Sequence, residues 1–345
     1  AFSTKANISV LRSLAENKYV TRIWYDEEIH AVLDTATPAV LGEDCPGQHD
    51  VTGRGVTIAV LDTGIYNHPD LQGRIIAFCD LVNNKKKPYD DNGHGTHVAG
   101  CAAGSGLASG GLYAAPAPEA DLVGIKVLNK SGSGLLSTVI EGIQWCLQHK
   151  EKYRIRIINL SLGTKALLPY EDDPVCLAAA RAWEAGILVC TAAGNSGPEP
   201  GTINSPGIHP GLLTVGAAAE NTGASGAGIA VFSSRGPAPG GLVKPDVVAP
   251  GVSITALRSP ASFLDKQQKS FRVGKYYFNL SGTSMATPVC AGVAALLLQK
   301  NPALTPGQIR ELLRDTALPL AGYGENDQGK GMINAARALA YLQHS

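Results

Sequence analysis

The sequence has no surplus of charge: 29 Lys and Arg stand against 29 Asp and Glu in 345 residues. Nucleic acids and anionic lipid surfaces select a basic excess, so neither is expected as a partner. Charge is scarce altogether, at 17% against 44% hydrophobic residues, and so apolar a chain is not intrinsically disordered. Long apolar runs are missing as well. The longest, around Val289 to Leu298, contains a glycine and falls short of the roughly 18 uninterrupted apolar residues that cross a bilayer. A soluble protein with no membrane partner is expected. No Cys-x-x-Cys pair occurs among the seven cysteines (Cys45, Cys79, Cys101, Cys146, Cys176, Cys190 and Cys290), and seven thiols cannot all pair within one chain. That excludes a zinc-ribbon pattern and predicts mostly free thiols in a reducing compartment, the cytoplasm. Cys146, Cys176 and Cys190 sit inside apolar-periodic segments and read as small buried hydrophobes. The chain begins at Ala1 rather than Met, which leaves a removed leader open, so localisation rests on the thiols alone.

What is present is an alternation. Val56 to Asp62, Leu122 to Leu128, Ile155 to Leu160, Ile187 to Thr191 and Leu212 to Val215 read as strands apolar on both faces. Leu135 to Gln148 and Pro174 to Ala185 carry helical three-and-four spacing between them. Such an order predicts an α/β fold: a mainly parallel twisted sheet with helices on both faces, whose ligands gather at the carboxyl ends of the strands. Three helices are expected at the end, Ser284 to Lys300, Thr305 to Thr316 and Ile333 to Gln343, with Gly104 to Pro118 and Ala219 to Gly241 as loops. The first residues differ. A short amphipathic helix over Ile8 to Glu16, a strand over Tyr19 to Tyr25 and an extended run over Glu28 to Asp34 precede a turn-rich stretch. A helix and two strands bury little core, so residues 1–35 form an appendage, 36–55 a linker and 56–345 the main domain.

Four motifs carry chemistry. Asp62-Thr63-Gly64 sets a carboxylate at the end of an apolar strand; Asn92-Gly93-His94-Gly95-Thr96-His97 opens a small-residue helix; Gly282-Thr283-Ser284-Met285-Ala286-Thr287-Pro288 places a serine in the first turn of a buried helix; and Ala192-Ala193-Gly194-Asn195 follows a strand. A serine hydroxyl becomes a nucleophile when an imidazole takes its proton, and the imidazole needs a carboxylate to fix its tautomer. A helix amino terminus adds N–H groups where an oxyanion develops, and an asparagine amide adds another. Taken singly, Asp62 and Ser284 read as strand and helix caps. His97, three residues after His94, lacks partners for a metal set and reads as structural, while His68, Asp80, Asp121 and Asp246 read as caps or turn formers.

With the motifs in this order the chain resembles the subtilisin-like serine peptidases, through DTG at Asp62, GHGTHVAG from Gly93, SLG from Ser161, AAGNSG from Ala192 and GTSMATP from Gly282. Finer features, Lys126 to Gly134, Tyr89 to Asn92 and Phe232 to Pro237, resemble the intracellular, AprX-like branch found in bacilli. The resemblance implies the three-layer fold of that family over roughly Val51 to the carboxyl terminus. It implies a monomeric endopeptidase of broad specificity acting on proteins and peptides through an acyl-enzyme: Asp62 orients His94, His94 is base then acid, Ser284 attacks, and Asn195 with the Ser284 N–H binds the oxyanion. Two extended segments, Gly132-Ser133-Gly134 and Ser161-Leu162-Gly163, would hold the substrate as an added strand. Ala192, Ala193 and Gly194 would wall the pocket for the residue before the scissile bond, with Asn204 near its base, which implies medium or large uncharged side chains there.

Residues 1–35 are similar to the latter half of the family's propeptide, an inhibitor of its own enzyme, with self-cleavage expected between Leu33 and Pro38; a permanent structural arm is the alternative. No cofactor is implied. Asp70 matches a calcium-site carboxylate of secreted relatives, but the companion loop is here the Gly- and Ala-rich Gly104 to Ala115, so that site is expected to be absent and a weak structural calcium elsewhere stays open. Exposure of Cys101 or Cys290 beside the site would make the protein sensitive to thiol reagents. Two other classes are weighed: a catalytically silent member of the fold serving as a binding module, which would substitute a triad position, and a nucleotide-binding enzyme, which would want Gly-x-Gly-x-x-Gly after the first strand where Asp62-Thr63-Gly64-Ile65 stands.

Overall fold

Strand β2 (Thr57–Asp62) has no polar face, and its side chains divide between two cores: Ile58 and Val60 join one, Ala59 and Leu61 the other. Successive strand residues point to opposite faces, so a strand apolar throughout must be covered on both. In β8 (Leu188–Ala192) the same division holds, with Leu188 and Cys190 on the first face and Val189 on the second. The computed structural model describes residues 8–15, 17, 20, 28–31, 51–219 and 228–343. Apart from Val20, the strand expected over Tyr19 to Tyr25 lies outside these residues, as do Cys45 and the cleavage window from Leu33 to Pro38.

The main sheet runs β11 (Gly228–Ile229), β10 (Leu213–Ala219), β8, β6 (Ile155–Leu160), β2, β4 (Asp121–Lys126), β3 (Ile75–Asp80), with β12 (Val247–Pro250) also paired to β10. Every pairing in it is parallel except that of β11. Helices α2 (His94–Ala103) and α6 (Thr283–Lys300), backed by α9 (Ala335–Tyr341), cover one face, and α3 (Leu136–Tyr153) and α4 (Pro174–Glu184) the other. The chain is therefore the expected three-layer α/β protein. Expected and observed bounds of these elements differ by a few residues, as helix and strand ends fray. The edge strand β3 was not anticipated, although Ile75 to Cys79 is apolar on both faces; at the edge of the sheet it is only half-buried, with Ile76 39% exposed.

Helix α6 explains much of the core. From Thr283 to Leu298 all its side chains are buried, and full burial of Leu296, Leu297 and Leu298 contributes about 1.5–3 kcal/mol each. Capping follows the sequence at α7 (Pro306–Asp315), where Thr305 and Gln308 close a capping box before Pro306, and at α4, where the Asp173 side chain accepts from the Val175 and Cys176 N–H groups. The helix expected at the amino terminus is α1 (Ile8–Ala15), and short helices α5 (Phe263–Gln267) and α8 (Glu325–Gln328) complete the set among the described residues. A three-stranded antiparallel sheet orders β13 (Ile254–Leu257), β15 (Tyr277–Leu280) and β14 (Arg272–Val273). A separate four-stranded one orders β5 (Ser133–Leu135), β1 (Glu28–Ala31), β7 (Leu162–Lys165) and β9 (Asn204–Ser205). In it β1 lies antiparallel between its neighbours, with Ile29 opposite Gly134, His30 opposite both Ser133 and Gly163, and Ala31 opposite Leu162.

Asp246 is more than a turn former. Its carboxylate, almost wholly buried, accepts from Lys244 Nζ at 2.6 Å, from the Thr214 N–H at 2.8 Å and from Arg310 Nη2 at 2.6 Å, tying the start of β12 to β10 and α7. Burial pushes the Lys244 ammonium down to about 8 against the pull of Asp246. Removing one member of such a group leaves a buried charge unmatched. Asp246→Ala is expected to lower the unfolding free energy by about 3–5 kcal/mol in urea titrations; a loss under about 1 kcal/mol, the size of an exposed pair, would show that the network does not hold β12 in place.

Candidate active site

Three elements bring the site together at the carboxyl edge of the sheet. β2 ends in Asp62, α2 begins with His94, and α6 carries Ser284 in its first turn; all three side chains are buried. His94 Nδ1–H donates to Asp62 Oδ1 at 2.8 Å, with Oδ2 at 3.0 Å. That bond places the ring proton on Nδ1, so Nε2 carries the lone pair, and Nε2 is buried without a hydrogen-bond partner. The Thr63 N–H donates to Asp62 Oδ1 at 2.7 Å and holds the carboxylate from behind. The approach of α2 to β2 needs glycine at 95: a Cβ there would lie 2.2 Å from the Gly64 carbonyl oxygen. Asp90 then organises the turn before His94. It accepts from the Thr63 hydroxyl, the Gly93 N–H and both the N–H and hydroxyl of Thr96, while burial lifts its carboxyl above the usual range.

Ser284 is held by a reciprocal pair with Ser161. Its Oγ donates to the Ser161 carbonyl at 3.1 Å, and Ser161 Oγ donates to the Ser284 carbonyl at 2.8 Å. The second bond has a cause in the sequence. Pro288 stands four residues after Ser284 and has no N–H, so the Ser284 carbonyl lacks its intrahelical donor and takes the Ser161 hydroxyl instead. Ser161, expected at the substrate edge, is thus buried and positions Ser284, whereas Leu162 and Gly163 lie in β7 beside β1. Asn195 points its Oδ1 at Thr283, accepting from the Thr283 N–H and hydroxyl, both at 2.9 Å. This fixes the flip of its carboxamide and leaves the buried Nδ2 without a partner. The Ser284 N–H lies in the first turn of α6, where no intrahelical acceptor exists. The site therefore joins a buried imidazole lone pair, a hydroxyl at a helix amino terminus and an unpartnered amide donor, the parts that acyl transfer requires.

The remaining expected residues gather on one edge. Gly132 precedes β5, which contains Ser133 and Gly134; Ala192 ends β8, and Ala193 and Gly194 lead to Asn195. Asn204, in β9, takes its N–H to the Ala193 carbonyl, and its carboxamide would lie 2.8 Å from a Cβ at Gly194, whose φ is 107°. Asp70 Oδ1 accepts from the Ala108 N–H at 2.9 Å and Oδ2 from the Tyr277 hydroxyl at 2.8 Å. Among the described residues no cluster of three His, Cys, Asp or Glu forms a metal set, and no helix is long and apolar enough to cross a membrane. Cys101 and Cys290 are buried, so neither is open to thiol reagents at the site.

A site of this make on a parallel sheet defines a serine protease of the subtilisin class. The subtilase family model matches residues 53–336, and the chain belongs to that family. It is 51% identical over 98% of its length to the serine protease AprX of Bacillus subtilis, covering 78% of that protein, and 38% identical over 84% of its length to a thermostable alkaline protease of Halalkalibacterium halodurans, covering 68% of that one. A solved cold-adapted subtilisin-like serine proteinase superposes with a TM-score of 0.63 at 33% identity, over 87% of this chain and 94% of that one.

His97 has a structural part beside the site. Its Nε2–H donates to the Ile254 and Phe278 carbonyls, both at 3.0 Å, and Cys101 Sγ lies 3.5 Å from its Nδ1. Burial, with the neighbouring His94 adding to it, pushes its pKa from 6.5 down to about 3. An unfolded chain then binds the proton that the folded one refuses, so stability is full above pH 6.5 and falls as pH drops towards 3, by about 1.4 kcal/mol per unit. His97→Gln is expected to flatten the pH dependence of urea-unfolding free energy by that amount in this window; an unchanged slope would show that His97 ionises freely.

Proposed function

We propose that the chain is an endopeptidase of broad specificity acting through a triad of Asp62, His94 and Ser284, and that it processes its own amino-terminal segment. The observation that carries this reading is the Asp62–His94 bond, which leaves His94 Nε2 as an acceptor in a buried site. Ser284 Oγ attacks the scissile carbonyl and its proton passes to Nε2; the carbonyl oxygen becomes an oxyanion, taken by Asn195 Nδ2 and the Ser284 N–H. The imidazolium, stabilised by Asp62, gives its proton to the leaving amine, and the C–N bond breaks to leave an acyl-enzyme. Water then repeats the sequence, losing its proton to Nε2, and Ser284 leaves with that proton.

The substrate lies as a strand between β5 and β7, where small residues let backbone meet backbone. β1 already takes that place in register, which supports reading residues 1–35 as a propeptide whose tail occupies the substrate edge and is cleaved between Leu33 and Pro38. Ala192 to Gly194 with the Asn204 amide at the base favour uncharged side chains before the scissile bond. The thiols of the described residues, all unpaired, support action in the cytoplasm. Engagement of both Asp70 oxygens by protein donors supports the absence of calcium there.

The test compares the wild type with Ser284→Ala, prepared identically, by intact mass and by turnover of a chromogenic peptide with an aromatic or aliphatic residue before the scissile bond. The wild type is expected to turn over and to lose a segment ending between Leu33 and Pro38. Ser284→Ala is expected to keep its full length and to lose activity by about 10⁴-fold or more. Equal turnover by both would overturn the triad, and an uncut but active wild type would make residues 1–35 a permanent arm. Chelation by EDTA is expected to leave the melting temperature within about 2 °C, well under the 2–4 °C per kcal/mol that loss of a strong site would multiply; a large loss restored by Ca²⁺ would contradict this.

A further inference from the structure

Lys126 ends β4 as the strand neighbour of Asp62, and its side chain is wholly buried. Its ammonium donates to the Thr63 carbonyl at 2.6 Å, to Asp91 Oδ1 at 2.8 Å and to the Leu128 carbonyl at 2.9 Å, so all three of its hydrogens are used. Each acceptor sits on a different part of the site. Thr63 follows Asp62 and holds its carboxylate, Asp91 opens the turn that delivers His94, and Leu128 begins the loop that leads through Gly132 to β5. An uncompensated buried ammonium costs several kcal/mol, and a strand end elsewhere would carry an apolar residue at such a position.

We propose that Lys126 is a positioning residue for the peptidase reaction, locking the Asp62 turn, the His94 turn and the substrate strand into one geometry. This rests on the triad reading given above. The bonds are to a carbonyl of each flanking segment and to a single carboxylate, so a neutral side chain of the same length cannot replace them. Asp91 keeps 31% of its side chain in solvent while the Lys126 ammonium keeps none, so the cation is held by the protein's own acceptors and not by water.

The test measures kcat and KM for the self-processed wild type, Lys126→Met and Asp91→Ala, each normalised to intact sites by stoichiometric labelling of Ser284 with a fluorophosphonate. Lys126→Met is expected to lose about tenfold or more in kcat/KM, chiefly in kcat, since the loosened geometry acts on the chemical step. Asp91→Ala, which removes one of the three acceptors of the ammonium, is expected to lose less, again chiefly in kcat. A Lys126→Met protein with wild-type kcat per labelled site, or one whose loss lies in KM alone, would overturn the proposal while Ser284 labelling keeps the triad reading intact; a wild type that is not labelled at Ser284 would overturn both. If Lys126→Met does not fold, Asp91→Ala, on a partly exposed residue, decides alone: kcat per labelled site lowered by about threefold or more upholds the proposal and an unchanged kcat overturns it.

Discussion

Helix α6 has no polar face: from Thr283 to Leu298 its side chains are buried, so it can sit only between the sheet and α2. That constraint places Ser284. A helix packed on both sides cannot rotate or slide without opening cavities, and its amino terminus is therefore delivered to the carboxyl edge of β2 and β6 as a fixed point. The same burial would leave the Ser284 carbonyl unmatched above Pro288, and Ser161 at the end of β6 supplies the donor. Core packing and site geometry are here one problem, solved by a proline and a serine that are far apart in sequence.

The buried charges of this interior are engaged. Lys126, at the end of β4, and Lys244, before β12, are both wholly buried lysines, and each meets a carboxylate and a backbone carbonyl. They serve opposite ends of the molecule's problem: Lys244 with Asp246 and Arg310 ties β10, β12 and α7, while Lys126 ties the segments that carry Asp62, His94 and the substrate edge. Buried atoms without a partner include Asn159 Oδ1 and Thr191 Oγ1 as well as His94 Nε2 and Asn195 Nδ2, and the last two belong to the site described above.

The edge between β5 and β7 is the other open valence of the fold. A sheet edge with both neighbours facing a gap takes up an extended chain by backbone bonding alone, and the segment that fills it is Glu28–Ala31 of the same polypeptide. Because the main-chain register is set by β5 and β7, the inserted strand is held by its backbone rather than by particular side chains.

Most of the architecture was legible in the sequence because a parallel sheet covered on both faces writes itself as runs such as Thr57–Asp62 and Ile155–Leu160, bounded by helical spacing. The positions of Asp62, His94, Ser284 and Asn195 at strand ends and helix starts were legible too, since short motifs there fix both the residue type and its place on the sheet edge. What the sequence could not show is which distant groups meet. Asp246 read as a turn former and is the centre of a buried ion network; Ser161 read as part of the substrate edge and also holds Ser284; Lys126 read as one letter of a family motif and bridges three segments. Local propensity and periodicity depend on neighbours along the chain, so the sequence by itself determined the strands, the helices and which polar residues stand at the sheet edge. Hydrogen bonds between residues 32 to 123 apart in sequence depend on how the layers pack, so only the tertiary structure decided what holds those residues in place.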